Sequence, residues 1–67
     1  MKYKASFNGE ELVSNCALDL MQQIARIMAR KFPKEGVIYT AETPTSVTIL
    51  IGRPGSYISI GRIHTND

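Results

Sequence analysis

Only one segment of this chain has helical periodicity, and that limits the fold more than any other feature. Between Cys16 and Phe32 the apolar residues Ala17, Leu20, Met21, Ile24, Ile27 and Met28 recur at helical spacing, with Asp19, Gln22, Gln23, Arg26 and Arg30 on the opposite side. Ser14 or Asn15 is the expected N-cap, and Asp19 near the start with Arg30 and Lys31 near the end suits the helix dipole. Pro33 stops the helix, and Gly36 clears the turn that follows. A lone helix can cover only one face of a sheet. Whatever sheet the remaining residues build therefore has one face without a helix over it.

The remaining residues are extended. Tyr3, Ala5 and Phe7 alternate with Lys2, Lys4 and Ser6, and Asn8-Gly9 is the commonest pair for a two-residue hairpin. Pairing across it sets Phe7 opposite Glu10 and Ala5 opposite Leu12, with a short return strand from Glu10 to Val13. After Gly36 come three runs rich in Val, Ile, Thr and Tyr: Val37 to Ala41, Val47 to Ile51, and Ser56 to Ile63. His64 to Asp67 is expected to be a short polar tail. The fold class is α+β, with element order ββαβββ and one helix packed on one face of an antiparallel sheet. The strand order between the hairpin and the meander does not follow from the sequence. All 67 residues form a single domain, since a chain this short holds one core.

Loop length sets register, and a slip of one residue inverts every side chain. Pro54-Gly55 suits the centre of a type II turn. A four-residue loop, Gly52 to Gly55, would pair Ile51 with Ser56, Ile49 with Ile58, and Val47 with Ile60. At the preceding join, an odd loop pairs Val37 with Ile51, Tyr39 with Ile49, and Ala41 with Val47, which keeps Glu42 off the apolar face. The expected core face is Val37, Tyr39, Ala41, Val47, Ile49, Ile51, Ile58 and Ile60. A cross-strand row of Ile38, Leu50 and Tyr57 then falls on the open face.

That row is the candidate protein-binding surface, for a protein partner or a second copy of the chain, because contiguous exposed apolar residues mark interaction sites. The competing explanations are a lid formed by the N-terminal hairpin or a loop, and ordinary surface apolarity. Arg26, Arg30, Lys31, Lys34 and Arg53 form the alternative, a nucleic-acid-binding set. Neither double-stranded-RNA-binding nor RNA-recognition architecture fits, since each needs a second helix.

Cys16 is the only cysteine, so no internal disulfide forms and nothing points to an oxidising compartment. It is expected to be a buried or half-buried structural residue, because the lone histidine, His64, lies far along the chain. One Cys, one His and scattered acids offer no metal-ligand spacing, and no cofactor or small-molecule substrate is implied. Gly61 inside a strand signals a bulge or a close backbone contact. Net charge is +2, and no apolar run is long enough to span a membrane. These features suggest a cytoplasmic, non-enzymatic interaction protein, an adaptor or inhibitor of the size common among phage and mobile-element products.

Overall fold

A computed structural model describes residues 2–65. The elements run β1 (Tyr3–Phe7), β2 (Glu10–Ser14), α1 (Ala17–Lys31), β3 (Gly36–Thr43), β4 (Ser46–Arg53) and β5 (Ser56–Thr65), the order ββαβββ. The five strands form one antiparallel sheet in the order β2-β1-β5-β4-β3. The hairpin thus extends the meander sideways, through β5, and does not fold over its open face. His64 and Thr65, expected in a tail, belong to β5 and pair with Lys4 and Tyr3. Asn66 and Asp67 lie outside the described residues.

Local chemistry accounts for the joins. Asn8 takes φ 47° and Gly9 φ 80°, as a type I′ turn requires, so Phe7 faces Glu10 and Ala5 faces Leu12 as expected. In α1, Leu20, Ile24 and Met28 are fully buried, and Ala17, Met21 and Ile27 are half-buried along the flanks of that stripe. Phe32 closes the helix by donating its N–H to the Met28 carbonyl at 2.7 Å. The β3–β4 register follows the odd loop, with Val37 facing Ile51, Tyr39 facing Ile49, and Ala41 facing Val47. The turn itself is only Pro44-Thr45. An irregularity between Ala41 and Thr43 supplies the odd residue and sends Glu42 to the open face.

The β4–β5 register departs from expectation. Arg53 pairs with Ser56 and Ile51 with Ile58, so the loop is Pro54-Gly55 alone. Gly55 at φ 86° completes a type II turn after Pro54, so the turn joins the strands directly and the four-residue loop was too long. A register shift then inserts Ile60 as an extra residue between the pairs Leu50–Ser59 and Ile49–Gly61. Val47 consequently faces Ile63, which is buried and was not expected in the core. Ile60 is half-buried against the core, Ile58 is exposed, and Ala41 is exposed near the sheet edge.

The core is Ala5, Phe7, Leu20, Ile24, Met28, Ile49, Ile51 and Ile63. Its helix lies nearest β1 and β2. The β3 side is therefore less covered, and Val37 and Tyr39 are only half-buried there. Tyr39 ties this side to the helix by donating its hydroxyl to the Met21 carbonyl at 3.0 Å.

Burial pushes the Tyr39 hydroxyl above the ordinary tyrosine pKa of 10.0, and its hydrogen bond also needs the proton. An unfolded chain loses this proton first as pH rises. The Tyr39 contribution to stability is therefore complete below pH 10 and disappears as pH climbs through the raised folded value. Tyr39→Phe should lose about 0.5–1.5 kcal/mol at neutral pH. Urea melts should also show a smaller drop in stability above pH 10 than for the native chain. An unchanged alkaline drop would mean Tyr39 is not the responsible group.

Candidate interaction surface

The face of the sheet opposite α1 is mostly polar, and its polar side chains are tied to one another. Lys4 meets Glu11 at 3.3 Å between β1 and β2. Glu42 accepts a hydrogen bond from the Thr48 hydroxyl and meets Arg62 Nη2 at 3.4 Å. Thr48 is only 6% exposed beneath that pair. At this corner the polar groups of the open face are partnered within the chain.

Toward β3 the same face turns apolar. Ile38 and Leu50 face each other across the β3–β4 ladder, and both are half-buried. Tyr57, 36% exposed, does not stand opposite Leu50 as expected. The shorter loop sets it against Gly52, while Leu50 faces Ser59, so Tyr57 lies diagonal to Leu50 on the same face. The structure therefore places the three side chains on one face, as a triangle instead of a row. Among the described residues no helix lies on that face, and the hairpin expected as a lid lies in the plane of the sheet.

A second apolar exposure escaped sequence reasoning. On the helix side, Ile58 is 65% exposed beside a notch of about 390 Å³ lined by Phe32, Ile51 and Ile60, with Asn8 and Glu35 at its rim. It exists because α1 stops at Lys31 and β1 stops at Phe7, while the β4–β5 hairpin runs on past both. Pro33 signalled the helix end. The reach of β1 along β5 had no signal in the sequence.

The basic set does not gather into one patch with every charge available. Lys31 is paired with Glu10 at 3.2 Å and Arg53 with Glu35 at 3.8 Å. Arg26 and Arg30 line a shallow groove on the helix with Gln23 and Ile27. Together with Lys34 they have no acidic partner among the described residues. No group of three or more His, Cys, Asp or Glu side chains with the proximity of a metal site occurs among the described residues.

Cys16 is exposed, contrary to expectation, because it is the N-cap residue and sits ahead of the buried stripe. Its side chain makes no capping hydrogen bond. The expected caps, Ser14 and Asn15, lie ahead of it, and Ser14 forms a local turn instead: its hydroxyl accepts from the Cys16 N–H at 3.1 Å and donates to Asp19 Oδ2 at 2.9 Å. Gln23 Nε2 donates to the same carboxylate at 2.8 Å. Ser14→Ala should lower stability by about 0.5–1.5 kcal/mol through its lost hydrogen bonds, and Cys16→Ser should be neutral or stabilising because serine is a preferred cap. Chemical denaturation of the two variants checks this, and the reverse order would mean that Cys16 caps the helix.

No protein-family model, curated protein or solved structure matches the chain.

Proposed function

We propose that this chain is a non-enzymatic interaction protein, an adaptor or inhibitor, that docks on another protein through the open face of its sheet. Ile38, Leu50 and Tyr57 form the centre of the contact. The single observation that carries this reading is the direct Ile38–Leu50 pair, with Tyr57 beside it, on a face that has no helix over it. An apolar centre ringed by Thr40, Ser59 and the Glu42–Arg62 pair matches the ordinary anatomy of a protein interface. The partner it suits has an apolar protrusion with a polar surround. A free, exposed cysteine is compatible with a reducing compartment, and the cytoplasm is the proposed setting.

Two neighbouring substitutions test this reading. Leu50→Lys should change stability by about 1 kcal/mol or less and abolish capture of a protein partner, since it puts an unpaired charge into the contact. Ile49→Lys points into the core, where Ile49 is fully buried, and should unfold the domain. Capture from lysate by the native chain and by Leu50→Lys, with and without nuclease, reads the result. Capture unaffected by Leu50→Lys would contradict the proposed surface. Capture that disappears with nuclease would shift the function to Arg26, Arg30 and Lys34.

A further inference from the structure

The outer strands of a sheet present unpaired N–H and C=O groups, and chains guard such edges with charge, shortness or cover. The two edges here differ. β2 has five residues, begins with Glu10 and Glu11, and is pinned by Lys31 and Lys4 while the helix lies close to it. β3 has eight residues, and Gly36 to Ala41 carry no charge, no proline and no lysine. Its helix side shows half-buried Val37 and Tyr39, and its other side shows Ile38 beside Leu50. The strand is therefore apolar on both flanks, and its outer ladder meets no strand.

We propose that β3 pairs with β3 of a second copy, antiparallel about a two-fold axis, so that two sheets join into one continuous sheet. A second copy answers both flanks at once, because the two-fold keeps each helix on the same side and sets apolar against apolar on both faces. The ends also match. Glu42, already paired with Arg62 of its own chain, lies near the end of β3, and Lys34, which has no acidic partner among the described residues, lies just ahead of its start. Antiparallel pairing brings the Glu42 end of each copy to the Lys34 end of the other, whereas parallel pairing would set like ends together. Pairing of β3 with β2 would build an open fibre. It is opposed by the acidic, pinned edge of β2. The contact runs through backbone groups and is independent of the partner proposed for the open face.

Thr40 and Ala41 are exposed on opposite flanks of β3 and can carry charge without touching the core. Light scattering over a dilution series should give twice the 7.4 kDa chain mass for the native protein at high concentration. Thr40→Lys with Ala41→Lys should give a monomer with unchanged helix signal, and so should Thr40→Glu with Ala41→Glu. Leu50→Lys should remain dimeric, which separates this contact from docking on the open face. A native chain that stays monomeric at every concentration overturns the proposal. So does a dimer that survives both charge variants.

Discussion

The fold depends on how closely β1 can lie against β5. Phe7 faces Gly61 across that ladder, and a methyl group at Gly61 would collide with the Ser6 carbonyl and with Cα and Cβ of Phe7. Only glycine leaves room for the backbone of β1 at this point. The contact joins the N-terminal hairpin to the meander and brings Ala5 and Phe7 beside Ile49 and Ile63 under the helix. Without it, the buried stripe of α1 would have only half a floor. A chain of this size is expected to have about 3–10 kcal/mol of stability, so half a floor would not hold.

The same junction determines which surfaces stay open. β1 is short, and it pairs only with Gly61–Thr65 of the ten-residue β5. The extra residue at Ile60 lies where β1 ends, so β5 can be aligned with β1 on one stretch and with β4 along its length. Beyond that point the β4–β5 hairpin projects, leaving Tyr57 and Ile58 exposed on opposite faces. The helix follows its own hairpin to the β1–β2 side, which leaves β3 as a thinly covered, uncharged edge. Both proposed contacts therefore fall on the β3–β4–β5 side of the sheet, for one geometric reason.

Local rules carried much of this into the sequence. The helix stripe, the Asn8-Gly9 hairpin and the odd parity before β4 each rest on a period or a turn a few residues long, and each matches the structure. Gly61 was legible as a point of close approach, although the strand approaching it was not. The failures share a cause. Pro54-Gly55 allowed more than one loop length, and nothing local announces the extra residue at Ile60. The predicted core therefore missed Ile63, and it contained Ile58 and Ala41, which lie on the expected face but beyond the cover of the helix and β1. On the candidate surface, Ile38 and Leu50 face each other as expected because the β3–β4 register was right. Tyr57 moved to a diagonal position with the register of β5. The exposure of Ile58 and Phe32 depends on where a distant strand stops, which no local pattern encodes.

Thermal and urea unfolding of Gly61→Ala test the central claim most directly. Overpacking normally costs about 1–3 kcal/mol, and here the obstructing atoms are mainly backbone, which cannot rotate aside. The account predicts a loss at or above the top of that range, with amides of β1 and β2 losing hydrogen-exchange protection before those of β3 and β4. Stability within about 0.5 kcal/mol of the native chain would contradict it, since that is the range of an ordinary surface substitution.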